Sequence, residues 1–214
     1  MMRSGFAVIV MLGLALGMAT SIPVLAVDAP QFVLSWGSTG SDPGQFQHPS
    51  GVATDQLGNV YVADMYNYRV QKFTASGSYL LSWGSRGTGT GQFLQPVDVA
   101  VSIDGSVYVL DGAGARVQKF TSTGTYLLGW GGQGYDQGHF TSPIGLTVAG
   151  DGTVYVVDTG NNRIEKFSSG GTFLAAWGSF GSGQGQFFHP WDVVTDPSGN
   201  VYVSDLNNNR VQKF

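Results

Sequence analysis

Two histidines and two aspartates occupy positions from which they could together hold a divalent cation. His48 and His189 each come directly before a proline, and Asp98 and Asp192 each come two residues after one. Imidazole and carboxylate groups are usual ligands of zinc and calcium in proteins. No short ligand-spacing motif supports the site, so two surface histidines and two solvated aspartates near a loop are the alternative interpretation. We assign no catalytic residue.

A second charged pattern joins an aspartate to an arginine five residues later, as in Asp64 and Arg69. The same pair recurs at Asp111 and Arg116, Asp158 and Arg163, and Asp205 and Arg210. One active site needs its groups once, whereas a structural device is needed in every repeat. We therefore expect these aspartates to accept hydrogen bonds from turn amides and the arginines to brace the hairpins.

Trp191 breaks the sequence pattern around it. It follows Pro190 where the other repeats have Ser50, Val97 and Ile144. An aromatic side chain at this position could fill the core or stack on a ligand. We expect core filling.

A repeat of 47 residues positions all of these groups. Its clearest marks are the tryptophans and prolines, which recur at that offset without insertion or deletion. They are Trp36, Trp83, Trp130 and Trp177, and Pro49, Pro96, Pro143 and Pro190. A fixed period of this length indicates structural units that stack on one another to build a continuous core.

Each repeat contains four short segments rich in β-forming residues and separated by turn residues. In the second repeat they are Val97–Ile103, Ser106–Leu110, Arg116–Thr121 and Thr125–Trp130. The first two are almost wholly apolar, and the third carries charged and amide side chains. Polarity that grows from the first strand outward is typical of a blade whose first strand lies near a central axis. We expect an all-β fold, a β-propeller of four antiparallel four-stranded blades, with the candidate cation ligands around one mouth of its channel.

The repeat closely resembles the NHL repeat family. The resemblance rests on Gly-Gln-Phe-x-x-Pro, Gly-Asn-Val-Tyr-Val-x-Asp, Asn-x-Arg-Val-x-Lys-Phe and Phe-Leu-x-x-Trp-Gly-Ser, and it extends over residues 31–214. Local departures are Gly114, where the other repeats have asparagine, and His139, where they have glutamine. The family implies a β-propeller, usually of six blades, so four repeats depart from it.

Residues 32–36 align with the fourth strand of the later repeats, whereas the last repeat ends in a third strand. We therefore expect the N-terminal strand to complete the last blade and remove two unpaired strand edges. The alternative is a fragment of a six-bladed NHL propeller.

The N-terminal segment reads as a signal peptide. Phe6 to Met18 is an apolar run preceded by Arg3, and it is too short to span a bilayer. Small residues at Val24 and Ala26 predict cleavage after Ala26, giving residues 1–26 as signal peptide and 27–214 as propeller. We expect a secreted or periplasmic, cell-envelope protein that does not insert into the membrane after cleavage. A retained membrane anchor is the alternative.

Composition and charge argue against two classes of function, nucleic-acid binding and ubiquitin ligation. The 214 residues include 33 glycines and no cysteine, and 11% are charged. Loss of Arg3 with the signal peptide leaves nine basic residues against fourteen acidic ones, a net charge of −5. The cations are spread evenly over the repeats, so we expect no nucleic-acid partner. The absence of cysteine argues against the zinc domain that accompanies ubiquitin-ligase activity in NHL proteins.

Three functions remain open. The first is a non-enzymatic propeller that binds a protein, peptide or glycan through glycine-rich face loops at residues 37–44, 84–91, 131–138 and 178–185. The second is a metal-dependent lyase or hydrolase that resembles NHL-like amidating lyases and works at the channel mouth with calcium or zinc. A third interpretation is a structural module of an envelope assembly. Metal content separates the second function from the other two.

Overall fold

The protein is all-β, as predicted. The computed structural model describes residues 31–214, so the predicted signal peptide lies outside the described residues. All strands lie within one compact unit, Leu34–Phe214. Three single 3-10 turns, Met65–Asn67, Thr159–Asn161 and Leu206–Asn208, are the helical elements of this unit. Among residues 31–214, no helix has the length and hydropathy that a membrane crossing requires.

Fifteen strands form four blades in chain order. Blade one contains β1 (Pro49–Thr54), β2 (Val60–Asp64), β3 (Arg69–Phe73) and β4 (Tyr79–Trp83). Blade two contains β5 (Pro96–Val101), β6 (Val107–Asp111), β7 (Arg116–Phe120) and β8 (Tyr126–Gly131). Blade three contains β9 (Gly145–Val148), β10 (Val154–Asp158), β11 (Arg163–Phe167) and β12 (Phe173–Trp177). Blade four contains β13 (Pro190–Thr195), β14 (Val201–Asp205) and β15 (Arg210–Lys213).

Each blade is an antiparallel meander in which every strand pairs with the next one along the chain. In blades two and three the second strand is buried along its whole length, because it lies inside its own sheet and between neighbouring blades. The strands predicted for the second repeat are confirmed to within a few residues at their ends.

The core lies between consecutive blades. We call the face that a blade packs on the next blade its forward face, and the opposite face its back face. Between blades two and three, for example, Tyr108, Leu110 and Val117 of the forward face pack against Val154 and Phe167 of the back face. Equivalent residues form the cores between blades one and two and between blades three and four. A substitution in one repeat therefore acts on an interface between two blades.

The repeated tryptophans join one blade to the next. Trp83 packs on Phe120 and Trp130 on Phe167, with ring centroids 5.7 and 5.6 Å apart. Gly124, at φ +81°, lies over the ring of Trp83, so a Cβ atom there would meet the ring at 2.8 Å. These tryptophans are only partly buried, and they cover the outer edge of each interblade core.

The aspartate and arginine pairs are structural, as predicted. Asp64 is fully buried and accepts hydrogen bonds from Arg69 Nε at 2.8 Å and from the Gln47 amide at 2.7 Å. The guanidinium of Arg69 also donates to the carbonyl oxygens of Ser41 and Gln45. Corresponding bonds recur in the other three blades. Each pair ties a glycine-rich loop to the hairpin of its own blade.

The four blades are confirmed, but the predicted N-terminal strand is not formed. Residues 32–36 contain no strand, and β15 pairs only with β14, so blade four has three strands. Trp36 packs on Phe73 of blade one, with ring centroids 5.9 Å apart. Val52 on β1 and Val211 on β15 are each 67% exposed, so the forward face of blade four does not cover the back face of blade one.

Candidate functional site

A cavity of about 590 Å³ opens where the inner strands begin. Its wall is formed by residues at or just before the starts of the four inner strands, together with the turns between the second and third strands of blades one and two. The lining residues include Met65, Gln95, Val97, Asp98, Trp191 and Asp192. Apolar and acidic groups therefore share one wall.

β-Bulges at the starts of the inner strands direct side chains toward this cavity. In β13 the pairing shifts between Pro190 and Asp192, which leaves Trp191 as the extra residue. The same shift in β5 leaves Val97 unpaired after Pro96. A bulge interrupts the alternation of a strand and re-aims the side chain it carries. A position at which all four repeats differ thus faces the cavity.

Trp191 is not a core residue, and our prediction of core filling was wrong. Its side chain is 55% exposed and lines the cavity. The bulge after Pro190 is the physical reason for this exposure. It interrupts the alternation of side chains along β13, so that Val193 points into the core and Trp191 does not. The indole face is available for stacking.

Asp98 is the most perturbed carboxylate of the cavity wall. Burial raises its pKa to about 7, and the negative charge of Asp192 adds to the effect. Two amides oppose the shift, since Oδ1 accepts from Val99 and Oδ2 accepts from Leu146 of the next blade, each at 2.8 Å. Asp98 therefore changes its charge near neutral pH.

Asp192, the counterpart of Asp98 in blade four, is exposed. Its Oδ1 accepts the amide of Val193 at 2.8 Å, as Asp98 does with Val99. The two carboxylates line the same cavity. The structure thus brings together two of the four residues that we proposed as metal ligands.

The two histidines lie elsewhere. The ring of His48 packs on Tyr66 with centroids 4.8 Å apart, and the ring of His189 packs edge-on near Phe188 at 6.0 Å. Neither is part of the cavity wall. Within residues 31–214 no three histidine or acidic side chains form a group that could hold a metal ion. The calcium or zinc site at His48, Asp98, His189 and Asp192 stays a prediction, with the two aspartates as its nearest pair.

Sequence reasoning missed Met65, which lines the cavity from the turn after β2. Its sulfur lies 3.3 Å from Nε2 of Gln95, which lines the same wall. The counterparts of Met65 are Gly112, Thr159 and Leu206, so the available signal was the same as for Trp191: a position at which the repeats disagree.

The glycine-rich face loops are firmly held. In the first loop Asn67 donates to the carbonyl of Gly40 at 2.8 Å, and the Gly44 amide donates to Oε1 of Gln71 at 3.0 Å. The loop before blade four is held in the same way by Asn208 and Gln212. Because polar groups of these loops are already hydrogen-bonded to the blades, side chains of the cavity wall are more accessible to a ligand.

Comparison with protein families identifies the repeat. The NHL repeat matches residues 46–73, 140–167 and 187–214. The segment one period after the first match, 93–120, contains the departure at Gly114, and it is also the one blade of the four without a 3-10 turn. No curated protein matches the sequence.

Solved structures share the fold at low sequence identity. A streptogramin B lyase structure is 15% identical, with a TM-score of 0.58 and coverage of 78% of this chain and 54% of that one. A virginiamycin B lyase from Staphylococcus aureus is 14% identical, with a TM-score of 0.54 and coverage of 78% and 55%. A chain of a nidogen/laminin complex is 18% identical, with a TM-score of 0.61 and coverage of 78% and 60%.

The chain thus spans a little over half the length of these solved structures, and the likeness concerns the fold alone. Three matched segments, a fourth copy at the same period and four antiparallel blades lead to one identification. The protein is an NHL-repeat β-propeller.

Proposed function

We propose that this protein is an exported, non-enzymatic binding module that takes a protein, peptide or glycan at the cavity face of its propeller. The observation that carries the proposal is Trp191, a tryptophan 55% exposed on the wall of a 590 Å³ cavity, beside the carboxylate of Asp192. An exposed indole next to an acidic group is suited to a sugar ring or to a cationic side chain of a peptide.

The scaffold favours binding for a second reason. The blades are braced by buried aspartate and arginine pairs, so the cavity wall is preorganised and a ligand has little ordering cost to overcome. One protein of similar fold belongs to a nidogen/laminin complex, which is an instance of this architecture in a protein assembly.

Peptide and glycan arrays probed with the full chain test the proposal. Trp191→Ala should abolish the strongest signals, while Tyr135→Ala should keep them. Tyr135 is the matched control because it is 78% exposed and lies outside the cavity wall. Signals that survive in Trp191→Ala would contradict binding at this cavity.

Export is a separate part of the proposal and has its own test. N-terminal sequencing of the protein secreted by an expressing host should give a first residue of Val27. A mature chain that still begins at Met1 and sediments with membranes would support the retained anchor instead.

A metal-dependent lyase or hydrolase is the second candidate. It is favoured by the two carboxylates on one cavity wall, with the pKa of Asp98 raised to about 7. Proteins of similar fold include a streptogramin B lyase. Elemental analysis of tag-free protein should find about one divalent ion per chain if this candidate is right, and Asp98→Asn with Asp192→Asn should remove it. Protein that stays free of metal after dialysis against calcium and zinc would exclude it.

A further inference from the structure

The cavity changes from apolar to acidic along its depth. Val97, Ile144 and Trp191, which each follow a proline, line the cavity of about 590 Å³, and we call them the apolar collar. Asp98 and Asp192 also line it, and they in addition line a second cavity of about 310 Å³ that follows all four inner strands. The two aspartates therefore lie where the first cavity meets the second, behind the apolar collar.

Both carboxylates are held in place by backbone amides. Asp98 accepts one amide with each oxygen, and one of these amides belongs to Leu146 of the next blade. Gly51 of blade one makes room for it, since a Cβ atom there would lie 2.6 Å from Oδ1 of Asp98. Asp192 accepts one amide with Oδ1, and its Oδ2 accepts no hydrogen bond from residues 31–214. Each carboxylate oxygen has two lone pairs, so both side chains can accept further hydrogen bonds from a ligand.

No basic side chain within residues 31–214 compensates the charge of this aspartate pair. Neither cavity is lined by lysine, arginine or histidine. Four arginines pair with the buried aspartates of their own blades, four lysines lie over tyrosine rings, and Arg86 lies over the ring of Tyr68. Together they are all nine basic residues of this part of the chain. The cavity therefore favours a ligand that brings a positive charge of its own.

The order of these groups matches a lysine or arginine side chain, which has an apolar stem that ends in a cation. The stem can pack on the apolar collar while the cation reaches the aspartate pair. The indole of Trp191 adds an attraction for the cation through its ring face. A sugar could also stack on this indole and donate hydroxyl groups to the carboxylates. It would nevertheless leave two partly desolvated negative charges without a counter-charge, which is unfavourable.

We propose that the ligand of this cavity is a basic peptide segment that inserts a lysine or arginine side chain past the apolar collar to the aspartate pair. The inference rests on the proposed function, because it takes the cavity as the binding site, and it selects a basic peptide over a glycan. Asp98 and Asp192 accept hydrogen bonds from the cation, and Trp191 covers its stem.

An array of short peptides with blocked ends tests the requirement for charge. Each sequence is printed with arginine and again with citrulline, which has nearly the same shape and no charge, and lysine is paired with norleucine in the same way. EDTA in the buffer excludes a bridging metal ion. With the parent chain, the strongest signals should come from the basic peptides, and the neutral replacement should weaken binding by at least about tenfold.

Asp192→Asn tests the aspartate pair itself. Asparagine can still accept the amide that Asp192 accepts, so the variant should fold, and melting curves close to that of the parent would show this. Its preference for arginine over citrulline should fall by at least about fivefold, because one of two negative charges is lost. Asp136→Asn is the matched control: it removes the same charge from an exposed loop position outside the cavity wall and should leave the preference unchanged.

The outcomes distinguish this inference from the proposed function. Equal binding of arginine and citrulline peptides, with both lost in Trp191→Ala, would overturn the basic ligand and keep the cavity as the binding site. A preference for arginine that Asp192→Asn leaves intact would overturn the inference too, as would binding that requires added calcium or zinc. Arginine-dependent binding that is unchanged in both Asp192→Asn and Trp191→Ala, or no binding of any peptide or glycan, would contradict both proposals.

Discussion

Glu165 is an acidic residue at a position where the other three blades have glutamine. Its counterparts are Gln71, Gln118 and Gln212. Each of these glutamines donates Nε2 to a loop carbonyl oxygen at 2.6 to 2.7 Å, and each accepts a glycine amide with Oε1. Glu165 keeps the second bond, accepting the Gly138 amide at 3.1 Å, but an ionised carboxylate cannot donate the first.

Burial sets the charge of this carboxyl group. Glu165 is completely buried, and this burial, together with the nearby charge of Asp158, raises its pKa to about 7. Arg163 opposes the shift through a contact of 2.8 Å between Nη2 and Oε1. The folded protein therefore holds a proton on Glu165 at a pH at which the unfolded chain has lost it. The contribution of Glu165 to the free energy of unfolding is fully present below pH 4.5 and is lost as the pH rises toward and through about 7.

We expect Glu165→Gln to stabilise the protein at alkaline pH. A pKa moved from 4.5 to about 7 corresponds to about 3 kcal/mol of unfolding free energy at high pH. The variant also loses the contact with Arg163, so a gain of about 1 to 2 kcal/mol at about pH 8.5 is expected, with almost none at about pH 4. Urea unfolding at the two pH values measures the difference.

Gln118→Glu is the matched control, because it places the same acid in the same setting of blade two. It should lower stability at about pH 8.5 and have little effect at about pH 4. A Glu165→Gln variant that is no more stable than the parent at about pH 8.5 would refute the assignment of a buried, destabilising carboxylate.

Three further predictions concern the cavity wall and the core. Asp98→Asn should flatten the fall of stability between about pH 4 and about pH 7, because the pKa of Asp98 is raised to about 7; an unchanged slope in pH-dependent urea titrations would contradict this. Trp130→Ala should cost about 3 kcal/mol in the same assay, and a loss below about 1 kcal/mol would mean that the indole adds little to the interblade core. Gly124→Ala should cost about 1 to 2 kcal/mol more than Gly105→Ala, because both glycines have φ +81° but only Gly124 lies against Trp83; equal costs would assign the whole effect to the backbone.

The repeat made most of the fold predictable from the sequence. Four equally spaced copies of Trp, Pro, Asp and Arg identify four equivalent blades, and the gradient of polarity gives the order of strands within a blade. Asp64 and Arg69 could be assigned a structural role because their pair recurs in every repeat, and their hydrogen bonds are those expected. A sequence repeat therefore predicts the structural features that all the blades share.

The candidate site was harder to predict, since it is built from what the blades do not share. Core filling is the usual role of a tryptophan, and the bulge that instead directs Trp191 to the cavity is not visible in the sequence. His48 and His189 adopt left-handed backbone angles, φ 61° and 57°, although a residue before proline ordinarily favours an extended backbone. The strand expected at residues 32–36 depended on how blades one and four approach each other, which no local pattern specifies.

Ligand binding at the cavity can be tested most directly with one equilibrium measurement. The strongest peptide or glycan found on the arrays would be titrated calorimetrically into the parent chain and into Trp191→Ala, with Tyr135→Ala alongside. We expect Trp191→Ala to weaken binding by at least about tenfold, equivalent to the loss of one interfacial aromatic anchor, and Tyr135→Ala to leave the Kd unchanged. An unchanged Kd in Trp191→Ala would contradict the assignment of this cavity as the binding site.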